Sequence, residues 1–342
     1  MKLCGGLDLH ANNSVVVVLN EQDQVISQQR VPNDLALVLE ALAPYQPDIQ
    51  GVVVESTYNW YWHVDGLMAA GYVVHLANTA AIQSYKGLTH TDDHSDARWL
   101  AHLLRLGLLP TGYIYPKADR AVRDLMRKRS QLVRQRTTNL LGMQNLFARH
   151  TGVGVNNNRL KQLTPDAVQQ LLPDPDLALA ALSNLAVVRC LDEHIAALEC
   201  AVKARVKWHP AFHPLLSVDG IGLILALTIM LETGEIRRFP TVGNFASYCR
   251  GVGSTQLSNG KCKGHGNTKN GTKYLAWAFV EAAHFAIRYN AQIRRFYQRK
   301  MAKTHQMVAR KAVAHKLARA CYHVMREQVP FEIIPRQNNA AG

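Results

Sequence analysis

The sequence predicts an α/β domain with a mixed sheet, followed by a mostly helical half. In residues 1–116, short runs of β-branched and apolar residues alternate with segments of helical spacing. From about Asp119, apolar residues recur three and four positions apart over long stretches. The charge changes as well, because residues 1–116 carry 5 Lys/Arg and 11 Asp/Glu whereas the remainder carries 34 and 14. A rear half this basic favours a polyanionic partner, either DNA or RNA.

The first 116 residues are interpreted as three strands followed by helix, strand, helix, strand and helix. Turn residues and glycines separate these segments and mark their ends. The predicted strands are LCGGLDL, SVVVVLN, QVISQQRV, GVVVEST and YVVHLAN, and the predicted helices are DLALVLEALAPY, NWYWHVDGLMAAG and SDARWLAHLLRLG.

The remaining chain divides into a helical arm over 117–209 and a mostly helical domain over 210–342. Two long helical patterns flank the breaker GVGVNNN and predict an α-hairpin or coiled-coil arm. In the last domain, Gly220-Ile221-Gly222 lies between apolar segments and resembles a helix-hairpin-helix turn, which can bind phosphate through backbone N–H groups. A long basic helical run is predicted from Tyr274 to about Arg326.

Several protein classes are excluded by what the sequence lacks. No apolar run approaches the ~20 residues of a membrane span, and the start has no signal-peptide pattern, so we expect a cytoplasmic protein. The six cysteines form no CxxC pair, which argues against a zinc ribbon or a disulfide framework. There is no P-loop, so use of ATP is not indicated.

Four acids form the first candidate site. Asp8 lies inside an apolar strand, Glu55 ends the run VVV, and Asp93 and Asp96 stand three residues apart where a helix begins. A carboxylate in an apolar strand is costly unless it is paired or binds a metal. Acids from a first strand, a later strand end and a helix start can converge at one sheet edge and hold Mg²⁺ or Mn²⁺, with two ions expected for phosphoryl transfer.

Each acid also has a structural interpretation. Asp93 and Asp96 are suited to a helix N-terminus, and Asp92 competes with Asp93 for the same role. Glu55 is compatible with a surface strand end. A purely structural role does not readily account for Asp8, because an acid in the middle of an apolar strand is costly. Among the histidines, His10 and His94 lie nearest to these acids in the sequence.

A polar stretch from Tyr248 to Lys273 forms the second candidate site. It is rich in Gly, Ser, Thr, Asn and Lys, which is typical of a solvated loop. The functional interpretation is a flexible strand-exchange loop that carries a hydroxyl nucleophile among bases. Composition leaves Ser254, Thr255 and Ser258 open as that nucleophile.

These motifs resemble the DEDD-type transposases of bacterial insertion sequences, in the family numbered one-ten, which includes Piv-type invertases. The acids occur in GLDLHANN, VVVESTYNW and THTDDHSDARWLAHLL. The family's T-D-x-x-D-A-R-x-L-A pattern selects Asp93 over Asp92 as partner of Asp96. The rear half is similar to the family's second domain through SVDGIG and FASYCRGVGSTQLSNGKCKGHGNTKNGTKYLAWAFVEAA. There Ser258 falls on the family's nucleophilic serine, although Asn259 stands where the family has glycine.

The resemblance implies a fold, a mechanism and partners. It implies a RuvC-like (RNase H-like) catalytic domain, Mg²⁺ bound by the four acids, and a covalent phosphoserine link between Ser258 and a cut DNA strand. It also implies a structured guide RNA that pairs with donor and target DNA, and a homodimer or homotetramer that brings acids and serine together. The bases expected to contact nucleic acid are Arg250, Lys261, Lys263, Lys269 and Lys273.

The leading hypothesis is therefore an RNA-guided, serine-dependent DNA recombinase. One alternative is a RuvC-like structure-specific endonuclease that uses metal-activated water. Another is a non-catalytic nucleic-acid-binding protein whose acids are vestigial.

Overall fold

The computed structural model describes residues 1–82, 93–206, 209–253, 255–265 and 271–332. Contacts divide the chain into two compact units, Met1–Lys117 and Ala118–Gly342. The division into three domains stays a prediction. Asp92, Ser254 and Lys269 lie outside the described residues. Within the described ranges, no helix is long and apolar enough to cross a membrane.

The first unit contains a six-stranded mixed sheet with the order β3-β2-β1-β4-β5-β6. Strand β1 pairs antiparallel with β2 and parallel with β4, so the predicted mixed α/β sheet is confirmed. The sixth strand was not predicted, because two residues leave no alternating pattern. The strands are β1 (Leu3–Leu9), β2 (Asn13–Leu19), β3 (Val25–Pro32), β4 (Ile49–Glu55), β5 (Val74–Ala77) and β6 (Thr111–Gly112), and the helices are α1 (Leu35–Leu42), α2 (Tyr61–Ala69) and α3 (Asp93–Arg105).

Helices cover both faces of this sheet, because the central strands are apolar on both sides. On one face, Val38 of α1 and Leu67 of α2 belong to one buried apolar cluster with alternate residues of β1, β2 and β4, among them Leu7. On the other face, α3 packs through Ala97 and Ala101. We call the second surface the α3 face.

Gly6 allows α3 to approach strand β1 closely. A Cβ atom at Gly6 would lie 2.1 Å from the carbonyl oxygen of Ala97 and 3.0 Å from the Cβ atom of Ala101. Real Cβ atoms do not approach backbone oxygen so closely, so any other residue would push the helix away. The glycine therefore sets the distance between the first turn of α3 and the end of β1.

The second unit begins with two long antiparallel helices. Helix α4 (Lys117–Thr151) and helix α7 (Pro175–Val206) are joined through the short helices α5 (Asn157–Gln162) and α6 (Pro165–Leu171). Arg129 bonds to Glu199 at 2.8 Å, and Arg136 pairs with Asp192 farther along, so the helices run in opposite directions.

The rest of the second unit is mostly helical. The predicted basic run from Tyr274 to Arg326 is wrong as a single element, because Asn290 caps one helix and starts the next, and residues 302–305 separate the last two. Asparagine favours such caps through its side-chain carbonyl. The elements are α8 (Phe212–Leu215), α9 (Leu223–Thr233), α10 (Val242–Tyr248), β7 (Thr255–Ser258), β8 (Lys261–His265), α11 (Lys273–Tyr289), α12 (Ala291–Met301) and α13 (Gln306–Glu327).

The predicted helix-hairpin-helix turn also needs correction. The segment before Gly220 forms only the four-residue helix α8. Gly220 has a φ of 84°, and a Cβ there would lie 2.3 Å from the carbonyl oxygen of Ala282 in α11. Because it has no side chain, Gly220 allows this turn to lie directly against α11.

A buried ion pair connects the arm to the end of α9. Glu232 is only 4% exposed, and the Arg127 guanidinium donates to both of its carboxylate oxygens at 2.6 and 2.9 Å. The hydroxyl of Thr272, which caps α11, donates to the same carboxylate at 3.3 Å. A buried charge needs such a complete set of partners.

Substitution of Gly6 with alanine should displace α3 and destabilise the first unit by about 1–3 kcal/mol, because the new methyl group overpacks the helix contact. Thermal unfolding measures the loss. Gly5→Ala is the matched control, since its Cβ would meet only side chains, the nearest being Val52 Cγ2 at 3.3 Å. Equal losses in the two variants would contradict the role given to Gly6.

Candidate active site

Two carboxylates lie side by side at the ends of adjacent strands. Asp8 and Glu55 follow Leu7 and Val54, which are paired in the parallel register of β1 and β4. Both side chains belong to the α3 face. Asp8 is 4% exposed, so its charge has little water to stabilise it and depends on neighbouring groups.

The first turn of α3 brings two further acids to this edge. Asp93 and Asp96 precede Ala97, the residue that contacts Gly6, and so lie at the end of the helix nearest the carboxylates. Asp96 is close enough to raise the pKa of Glu55 through its charge. The structure therefore brings together all four acids singled out from the sequence.

His10 lies among these acids. Its Nε2 atom is 3.1 Å from Asp8 Oδ2 and 3.2 Å from Asp93 Oδ1. The backbone carbonyl of His10 accepts hydrogen bonds from the side-chain amides of Asn33 and Asn59, at 2.9 and 3.1 Å. These bonds fix the chain just after β1.

The pKa of Glu55 is raised well above the ordinary value of a glutamate. Burial, a hydrogen bond that the protonated carboxyl donates to Asp8, and the charges of Asp8 and Asp96 raise the pKa of Glu55 to about 8. Carboxylates this close cannot all ionise without a counter-charge. Arg30 supplies part of one, because its guanidinium donates to Asp93 Oδ2 at 2.6 Å.

The acid cluster fits a divalent cation. Asp8, His10 and Asp93 each offer one ligand atom, and these atoms lie within 4.8 Å of one another. His10 Nε2 is buried, and neither nearby carboxylate meets it with hydrogen-bond geometry. A cation among these atoms would satisfy the imidazole and offset the acidic charges that, together with burial, raise the pKa of Glu55.

Ser258 lies on the second unit, at the tip of a hairpin. Strands β7 and β8 pair antiparallel, with Ser258 opposite Lys261. The two turn residues between them, Asn259 and Gly260, have φ values of 50° and 71°, as a type I′ turn requires. The structure corrects the loop expected from the composition over 255–265, because the Asn-Gly dipeptide favours a hairpin there.

The basic candidates occupy different positions around this hairpin. Ser258, Lys261 and Lys263 are exposed along it. Lys273 is exposed at the start of α11, with its Nζ 5.4 Å from the centre of the Tyr274 ring. Arg250 is half-buried, and its guanidinium donates to the carbonyl of Gly271 at 2.9 and 3.2 Å.

Comparisons with known proteins match both halves of the chain. A model of DEDD transposases of the IS110 type matches residues 5–150, and one described as "Transposase IS116/IS110/IS902 family" matches residues 213–298. The chain belongs to the IS110 family of transposases. It is therefore a DNA transposase, and the resemblance found in the sequence is confirmed.

Two relatives agree with this assignment. A Pseudomonas aeruginosa protein described as a probable family 20 transposase is 26% identical over 291 residues, which cover 83% of each chain. A Streptomyces coelicolor protein described as an insertion element IS110 uncharacterized 43.6 kDa protein is 26% identical over 132 residues. That match covers 38% of this transposase and 32% of the relative.

Sequence reasoning missed Arg30 as a residue of the transposase site. Across the sheet, Asp8 pairs with Val15 and Val15 pairs with Arg30, so Arg30 lies in line with Asp8 on the α3 face. Only the register of three strands reveals this. His10 had a weak sequence signal, because it lies only two residues after Asp8, just beyond the end of β1.

The shifted pKa of Glu55 predicts how stability depends on pH without metal. The folded state keeps the proton up to about pH 8, whereas an unfolded glutamate loses it near its ordinary pKa of 4.5, so stability falls between these values. In EDTA, Glu55→Gln should therefore raise the melting temperature more at pH 9 than at pH 5. Glu40→Gln, at an exposed position on α1, is the control. A gain from Glu55→Gln that is the same at both pH values would argue against the raised pKa of Glu55.

Proposed function

We propose that this transposase cuts and rejoins DNA through a covalent phosphoserine intermediate, with a divalent cation held by the acid cluster. The observation that carries the proposal is the convergence of four acids at one sheet edge, where His10 lies between Asp8 and Asp93, and where burial and the charges of Asp8 and Asp96 raise the pKa of Glu55. Such a cluster is costly to maintain in the absence of a cation.

The topology of the first unit supports a RuvC-like fold for this domain. Its three leading strands are antiparallel neighbours, and β4 and β5 then extend the sheet in parallel with β1. The acids lie at the carboxyl ends of β1 and β4 and at the start of α3. This arrangement suits a site that faces a nucleic-acid backbone.

The residues proposed to hold Mg²⁺ or Mn²⁺ are Asp8, Glu55, Asp93 and Asp96. When bound, the cation would neutralise charge on the phosphate and favour its attack by an oxygen nucleophile. Glu55 must release its proton to join the ligands. Arg30 holds Asp93 through its guanidinium and so orients one carboxylate.

Ser258 is the proposed nucleophile. Its Oγ atom forms a bond to a phosphorus atom of the DNA backbone, and the bond from that phosphorus to one deoxyribose oxygen breaks. The serine loses its proton and the leaving oxygen gains one. Rejoining reverses the step, because a hydroxyl from another strand attacks the phosphoserine and restores Ser258. Exposure at a hairpin tip beside Lys261 suits attack on an anionic backbone.

The decisive experiment is the capture of a protein–DNA adduct that resists SDS. Active protein with DNA that carries the insertion-element ends should give the adduct, and Ser258→Ala should abolish it. Ser254→Ala should retain it and is the matched control. Free cut ends with full activity in Ser258→Ala would instead support an endonuclease that uses metal-activated water.

A structured guide RNA and a homodimer or homotetramer belong to the same proposal. The basic excess beyond residue 116 supports an RNA partner in addition to DNA. Protein purified after RNase treatment should lose site-specific cleavage, and adding back the co-purified RNA should restore it. Cleavage that is unaffected by RNase would contradict RNA guidance.

A further inference from the structure

The segment that carries Ser258 begins and ends at one point of the second unit. We call Tyr248 and Arg250 its first root and Gly271 and Thr272 its second root. The backbone N–H of Thr272 donates to the carbonyl of Tyr248 at 2.9 Å. A Cβ at Gly271 would lie 2.2 Å from that same carbonyl oxygen, so the two roots are in direct contact.

The second root is anchored to the protein core. Thr272 caps α11, and its hydroxyl donates to the buried carboxylate of Glu232. Arg127 holds that carboxylate with two further hydrogen bonds. The second root is therefore fixed independently of the hairpin.

Arg250 has an unusual backbone conformation at the first root. Its φ is 56°, in the left-handed region that favours glycine. Its N–H donates to Ser247 and the N–H of Gly251 donates to Ala246, which is the Schellman pattern that ends helix α10. Glycine usually occupies this position, and an L-residue costs roughly 1–2 kcal/mol more there.

The contacts of the Arg250 side chain account for an arginine at a position that favours glycine. Its Nε and Nη2 atoms both donate to the carbonyl of Gly271, at 3.2 and 2.9 Å. The guanidinium thus ties the first root to the anchored second root. A planar guanidinium with fixed donors suits such a clamp better than a lysine, whose ammonium sits on a flexible stem.

We propose that Arg250 is a positioning residue that clamps the two roots and thereby places the Ser258 hairpin for strand attack. The inference rests on the proposed role of Ser258. It changes the role expected for Arg250, from a contact with nucleic acid to a structural tie. Lys261 and Lys263, which are exposed on the hairpin itself, remain the candidates for phosphate contacts.

The clamp is tested first without DNA, through a nitroxide label on Cys262. This cysteine is exposed on β8, and the exposed Cys190 and Cys200 are replaced by serine. Arg250→Gly, which keeps the left-handed backbone and removes the guanidinium, should shorten the rotational correlation time of the label by about twofold or more. In a second protein that keeps Cys190 as the labelled site, with Cys200 and Cys262 replaced by serine, the same substitution should leave the label on α7 unchanged, which excludes general unfolding.

The second measurement separates positioning from binding. At saturating DNA, Arg250→Gly should slow formation of the covalent adduct about tenfold or more, because small displacements of a nucleophile are costly. The Kd for the same DNA should change less than about threefold. Lys263→Ala should show the opposite pattern, with weaker, less salt-dependent binding and an unchanged Cys262 label.

Two outcomes would overturn the clamp. One is an unchanged Cys262 label in Arg250→Gly. The other is a loss of DNA affinity that accounts for the whole loss of adduct, as expected of a phosphate contact. If wild-type protein forms no adduct, the serine mechanism fails, and the label mobility still decides whether Arg250 ties the roots.

Discussion

The close approach of α3 to β1 at Gly6 is the constraint on which the acid cluster depends. Two of the four acids belong to the helix and two to the strands, so their separation follows from how closely helix and sheet pack. Because no side chain stands between Gly6 and the Ala97 carbonyl, the first turn of α3 reaches the strand ends. Glycine at position 6 is therefore what allows the helix acids to lie close to the strand acids.

The same packing brings several negative charges close together, and the protein's own residues offset only part of that charge. Asp8 is almost fully buried beside Glu55, whose pKa is raised to about 8 by burial and by the charges of Asp8 and Asp96. The guanidinium of Arg30 offsets the charge of Asp93 through its contact with Oδ2. The metal-free protein is therefore folded around a site with too much negative charge, and this is the condition that favours capture of a cation.

Much of the candidate site could be predicted from the sequence, since burial of a charge in an apolar strand leaves a clear pattern. Asp8 and Glu55 were found in that way, and the helical spacing gave Asp93 and Asp96. Arg30 could not be found, because strand register depends on pairing over a distance. The hairpin at Ser258 was not predicted although Asn259-Gly260 is a strong turn signal, because the residues around it have the polar composition of a loop and no alternating apolar pattern. The break at Asn290 was hidden by continuous helical spacing.

The register of the first three strands limits where residues can be inserted into or deleted from the sequence. Asp8, Val15 and Arg30 stand in line across three strands, and the turn between β1 and β2 spans only residues 10–12. An insertion or deletion of one residue within β1 would reverse the direction of every side chain beyond it. Asp8 would then face the apolar layer under α1 and α2, and a leucine would take its place beside the other acids. Length variation among relatives should therefore spare β1 and its turn, while point substitutions accumulate elsewhere in the domain.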